Sequence, residues 1–157
     1  MLIRELKEED IEAIKNIIKE GFTENDAQKA EFYFRLGLDK KASKAFRVLK
    51  YFVGIKDKKT AGVVGLYALE ACPEDVLWLG YFAVKKEFQG QGIGLELYRH
   101  AEGAAKKMGT RLFCVETDSL KEKAMDFYKK QGFAEGGRIK NFYEDGSDQI
   151  YMHKELK

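Results

Sequence analysis

The sequence predicts an α/β fold: a mixed, mostly antiparallel central sheet of about seven strands flanked by about four helices. Three observations point there. Runs rich in Val, Tyr and Phe alternate with stretches whose apolar residues recur at helical spacing. Several strand-like runs are joined by short polar turns. In mid-chain, a strand, a glycine turn, a helix and a further strand follow one another, which demands parallel pairing if the two strands are neighbours.

In chain order, Leu2 to Glu5 reads as a first strand. Ile11, Ile14, Ile17 and Ile18 fall on one helix face, with Gly21 as the stop. Ala27, Ala30, Phe34 and Leu38 predict a second helix over 26–38. Phe32 and Tyr33 add aromatic surface on its other faces, as extra core or as the wall of a substrate cleft. Phe46 to Ile55 and Ala61 to Leu69 read as a hairpin around Lys56-Asp57-Lys58-Lys59-Thr60. A strand over 76–84 leads into a glycine-rich segment. Beyond it, Ile93, Leu97, Ala101, Ala105 and Met108 mark a helix that Gly109 should end, followed by a strand over 111–117. Ser119-Leu120-Lys121-Glu122 has the S-x-x-E form of a capping box and should open a helix through Lys130, stopped by Gly132. Two closing strands, near 133–143 and 148–155, bracket the turn Glu144-Asp145-Gly146-Ser147.

A chain of 157 residues with 45% hydrophobic content suits a single domain over 1–157 that buries roughly two-thirds of its unfolded surface. Its formal charge is only +2 with the signs interspersed, which argues against nucleic acid or an anionic membrane as partner. The N-terminus turns charged at Arg4 before any apolar stretch could serve as a signal. The longest apolar runs, 61–69 and 76–84, fall far short of the ~20 residues that span a bilayer, so a cytoplasmic protein is expected. Cys72 and Cys114 lie far apart without a CxxC or a histidine cluster, arguing against a metal site or a disulfide. Cys114 reads as core, Cys72 as a loop residue before Pro73, and His100 and His153 as surface residues.

Gln89-Gly90-Gln91-Gly92-Ile93-Gly94 joins a strand to a helix, where backbone amides and the helix dipole converge on an anion. Its glycines do not run G-x-G-x-x-G, as a dinucleotide fold requires, and no GK pair followed by Ser or Thr makes it a P-loop. On spacing alone, a glycine turn with no ligand is an equal alternative. Tyr128, likewise, could belong to the buried stripe of Ala124, Phe127 and Tyr128.

Two ordered motifs go further. Gln89-x-x-Gly92-x-Gly94 after Val84 resembles the Q/R-x-x-G-x-G/A signature of the GCN5-related N-acetyltransferases. Ala124-x-x-x-Tyr128-x-x-x-Gly132-Phe133 is similar to the later helix and strand of that family. The resemblance implies acetyl-CoA as cosubstrate and transfer to a primary amine of a small molecule or peptide by direct attack, without a metal. It places the coenzyme pyrophosphate on amides from Gln91 to Leu95, within a site that takes in Gln89, Gly90, Gln91, Gly92, Ile93, Gly94 and Leu95. Pantetheine would pair with the main chain of Phe82, Ala83 and Val84, beside a bulge near Gly80 or Tyr81. Tyr128 would be the general acid that protonates the departing thiolate. Glu116 matches the glutamate of the ribosomal-protein alanine acetyltransferase branch and is the first candidate base, with a solvated strand-end carboxylate as the alternative. Asp118, Tyr81 and Glu70 are weaker candidates. Lys121 stands where the family often has an asparagine that contacts the pantetheine arm, and the resemblance counts it with the cofactor-binding residues, with that contact either lost or replaced by one to a phosphate. Asn141 to Asp148 and Met152 also resemble that branch, with Phe142 and Gln149 as departures. A non-catalytic acyl-CoA sensor with the same fold is the rival reading, and a homodimer is compatible with the edge strands.

Overall fold

The computed structural model describes residues 1–39 and 44–157. Seven strands form one sheet: β1 (Leu2–Glu5), β2 (Phe46–Lys56), β3 (Lys59–Leu69), β4 (Val76–Val84), β5 (Leu112–Asp118), β6 (Ala134–Ile139) and β7 (Gln149–Glu155). Their order is β1-β2-β3-β4-β5-β7-β6. Only β4 and β5 pair in parallel. The helices α1 (Ile11–Gly21) and α2 (Glu24–Leu38) cover one face; α3 (Ile93–Lys107) and α4 (Glu122–Lys130) cover the other. None of the described helices is long and apolar enough to cross a membrane.

Strand alternation explains the two layers. Val53 and Val63 pack under α1 and α2, while Phe52 and Val64 pack under α3. Ile11, Ile14, Ile17 and Ile18 are at most 2% exposed. Burying each contributes roughly 1.5–3 kcal/mol, which outweighs the ≲0.7 kcal/mol that isoleucine loses in helix propensity. The second helix begins earlier than its apolar spacing predicts. Thr23 caps it, its hydroxyl accepting from the Asp26 amide at 3.1 Å while the Asp26 carboxylate accepts from the Thr23 amide at 3.1 Å.

The β2–β3 hairpin is tighter than expected. Lys56 pairs with Lys59, leaving only Asp57 and Lys58 in the turn, with φ of 50° and 61°. A two-residue turn of this hand follows the natural twist of the strands and needs left-handed backbone at both positions. Lysine is held there at a cost of about 1–2 kcal/mol, so Lys58→Gly should raise unfolding stability by roughly 1 kcal/mol in urea denaturation.

Ser119 does not cap α4. The N-cap is Lys121, and the Ser119 hydroxyl instead accepts from the Asp148 amide at 2.9 Å. The Asp118 carboxylate takes the Leu120 amide at 2.9 Å, and that local turn carries the serine toward the start of β7. The strand expected over 133–143 pairs only as β6. The chain leaves the ladder near Asn141, at φ 51°, where its amide donates to the Asp148 carboxylate at 2.9 Å.

One irregularity positions everything that follows. Val64 pairs with Phe82 but Leu66 pairs with Leu79, so Gly80 and Tyr81 together oppose Gly65 in a bulge on β4. On its other side β4 pairs with β5 only from Val76↔Leu112 to Leu79↔Val115. Past the bulge the two strands separate.

Candidate active site

Gly92 stands at the N-cap of α3 with φ 80°, a conformation that side chains strain to adopt. The first helical bond runs from the Glu96 amide to the Gly92 carbonyl at 3.1 Å. Among the described residues, the successive amides from Gly90 to Leu95 donate to no protein acceptor. Amides left open in a row at the positive end of a helix call for an anion. The side chains around them brace the turn. Gln89 Nε2 donates to the Val84 carbonyl at 3.0 Å and Gln91 Nε2 to the Glu87 carbonyl at 2.9 Å, while Lys56 Nζ donates to Gln91 Oε1 at 2.7 Å.

The turn opens into a cleft of about 420 Å³ running along the unpaired edge of β4. Phe82, Ala83 and Val84 form one wall, and Gln89, Gly90, Gly92, Ile93 and Gly94 form the end. Lys123, Ala124, Phe127 and Tyr128 of α4 form the other wall. Gln91 and Leu95 do not line it; the first braces the turn, and the second packs on the core. Lys121 does not line it either, whereas Lys123 does. Lys123 and Phe127 were not picked out as lining groups from sequence. Their signal was helical spacing, since 123/127 and 124/128 are i, i+4 pairs that face the same way.

The Tyr128 ring is 7% exposed, packed edge-on against Phe127 and tilted against Phe133, with centroids 5.7 Å away in each case. Its hydroxyl has no hydrogen-bond partner among the described residues, yet it is not a sealed polar atom, because it borders the cleft. Burial raises the phenol above its ordinary value, so it stays a proton donor at neutral pH.

Glu116 occupies the opposite face. Val115 packs beneath α3, so strand alternation turns Glu116 toward the α1/α2 side, opposite Tyr151 of β7. Gln149 Nε2 donates to its carboxylate at 3.3 Å, and the Tyr151 hydroxyl donates to Gln149 Oε1 at 2.7 Å. Its charge is felt by Tyr67, Tyr81 and Tyr143. Much of its surface is open to water, but the surrounding protein desolvates it enough to raise its carboxyl above the ordinary value. Tyr128 and Glu116 thus address the gap between β4 and β5 from opposite faces. The gap is reachable from both faces of the sheet.

Other titratable groups serve the fold. His100 is not on open surface; it packs edge-on against Phe52 at 4.7 Å, and burial lowers its pKa. Cys114 is buried and its thiol raised to about 11, while Cys72 packs partly against the main core.

Comparison with known proteins agrees with this geometry. Residues 11–133 match the model of the Acetyltransferase (GNAT) family. A Bacillus subtilis (strain 168) protein provisionally named [ribosomal protein bS18]-alanine N-acetyltransferase is 30% identical over 151 residues, spanning 96% of this chain and 92% of that one. A provisionally assigned GNAT-family acetyltransferase from Desulfovibrio desulfuricans superposes with a TM-score of 0.87 at 21% identity, covering 99% of each chain. The ribosomal-protein-S18-alanine N-acetyltransferase of Escherichia coli superposes with a TM-score of 0.76 at 23% identity, covering 99% of this chain and 94% of that one.

Proposed function

The chain belongs to the acetyltransferase (GNAT) family, as an acetyl-CoA-dependent enzyme that acetylates an amine, and from that membership we propose that its acceptor is the N-terminal α-amino group of a peptide or protein. The observation that carries the site is the junction of the open amides from Gly90 to Leu95 with the unpaired edge of β4. The amides suit a pyrophosphate, and the strand edge suits the amide-bearing pantetheine arm. The thioester, when bound, supplies an acyl carbon that a neutral amine attacks directly.

The side chains then have distinct tasks. Phe82, Ala83 and Val84 offer backbone groups to the arm, and Gln89, by occupying the Val84 carbonyl, fixes the end of that ladder. Tyr128 donates its proton to the thiolate as the carbon–sulfur bond breaks. Glu116, oriented by Gln149, takes the proton that the amine releases as the carbon–nitrogen bond forms.

The acceptor reading rests on the Bacillus relative and on amine chemistry. An α-amino group with a pKa near ~7.8 is neutral in roughly one molecule in seven at pH 7, against about one in a few thousand for lysine. A carboxylate shared with tyrosines, without a nearby strong base, suits the former. Thiol release from acetyl-CoA should be fastest with peptides that begin with a small residue such as alanine. Preference for a polyamine or an aminoglycoside would overturn the peptide reading.

Glu116 also predicts a pH signature. On the acid side, log kcat/KM should rise with slope two, because amine and glutamate must both lose a proton, and Glu116→Gln should reduce that slope to one. Stability runs the other way. A raised folded pKa means the protonated form is favoured by the fold, and that benefit is lost as pH rises through it. Glu116→Gln should therefore melt no lower than the parent at pH 7, even as turnover falls.

A further inference from the structure

Lys121 has partners that its position in the family pattern does not foreshadow. Its ammonium donates to the Gly21 carbonyl at 3.4 Å and lies 4.9 Å from the centre of the Phe22 ring. Gly21 ends α1, so the carbonyl it meets belongs to the negative end of that helix, where a cation is favoured. These are the ammonium's only polar or ring contacts among the described residues, and it makes no ion pair there.

The contact joins segments a hundred residues apart, across the separated strands. On one side stand α1 and the end of β4, with Ile17 and Glu20 beside Lys85. On the other stand β5 and the N-cap of α4. Among the described residues, the hydrogen bonds and ion pairs of the loop from Gly21 to Thr23 otherwise run to its own helices, through Phe22 N to the Ile18 carbonyl, the Thr23–Asp26 box and the Lys19–Glu24 ion pair. Phe22 is 42% exposed, so its ring presents an apolar face to solvent beside Lys121.

We propose that Lys121 is a positioning residue for the acceptor, its ammonium tying the α1–α2 loop to the head of α4 so that the loop forms a fixed wall on the acceptor side of the β4–β5 gap. The proposal rests on the acetyltransferase reading of that gap. It takes Lys121 out of the cofactor-binding set and leaves Lys123 as the lysine that faces the coenzyme.

The test compares Lys121→Met, which keeps the apolar stem, with Lys121→Arg, which restores the cation. For an alanine-initiated peptide, Lys121→Met should raise KM by about tenfold with kcat within about threefold, the loss expected of one charged hydrogen bond and a cation–π contact. Acetyl-CoA affinity should stay within about twofold, and arginine should recover most of the KM. Amides 21–25 of the free protein should exchange faster with deuterium in Lys121→Met and regain protection in Lys121→Arg. Loss of acetyl-CoA affinity with an unchanged peptide KM would mean a coenzyme contact and overturn the proposal. The exchange measurement needs no acceptor. Unchanged exchange at 21–25 therefore sinks the tie on its own, and a change there upholds it even if the peptide is not the substrate.

Discussion

Tyr128→Phe should slow acyl transfer in a single turnover by about a hundredfold or more while acetyl-CoA affinity moves only a few-fold. The ring is what the fold uses: it is packed between Phe127 and Phe133 and 93% of its surface is covered. Phenylalanine keeps that packing and leaves no orphaned partner, because the hydroxyl bonds to nothing in the protein among the described residues. The loss should therefore appear in the chemical step and not in the melting temperature. Burial that holds the phenol protonated also makes it a reluctant donor until a thiolate forms beside it. Rapid-quench measurement of acetyl transfer with saturating coenzyme isolates the step. An unchanged rate would remove Tyr128 from the acid role.

Gly92→Val should weaken acetyl-CoA binding by about a hundredfold or more, measured by calorimetry. Valine at φ 80° costs at least 1–2 kcal/mol, and the chain relieves it by rotating the backbone that aims the amides. Each amide-to-phosphate bond contributes roughly 1.5–3 kcal/mol, so misdirecting two of them accounts for the loss. Nothing lies within 4 Å of a Cβ at Gly92, so the effect comes from backbone conformation and not from a clash. Stability should drop by only about 1–2 kcal/mol, the local strain itself. Retained affinity would mean that the turn does not hold the pyrophosphate.

Local chemistry carried much of the fold in the sequence. The isoleucine stripe of α1 and the bounds of β4 depend on near neighbours in the chain and stand where pattern placed them, while the bulge at Gly80 and Tyr81 stands where the family resemblance placed it. The failures have two causes. Ser119 fits a capping signature, but the Asp148 amide, 29 positions on, competes for its hydroxyl and wins. The turn at Asp57 and Lys58 was drawn too wide because lysines and threonine look like loop, although they extend the strands by a residue or two. At the site, the glycine turn and Tyr128 were readable because each is tied to a motif. That Gln149 and Tyr151 orient Glu116 follows from strand register, which no short motif encodes.

An open sheet ordinarily has two rims, here β1 and β6. The bulge on β4 gives this one a third, inside the molecule. A bare strand edge at a protein's periphery is an aggregation hazard, since any extended chain can add to it. Here it is recessed beneath α4, whose Phe127 ring packs against Phe82 with centroids 5.6 Å apart. That helix keeps a passing polypeptide strand off the edge, while Phe82, Ala83 and Val84 still line a cleft open to a smaller ligand. The helix that shields the protein from its own kind is thus also one wall of the cleft proposed for the coenzyme.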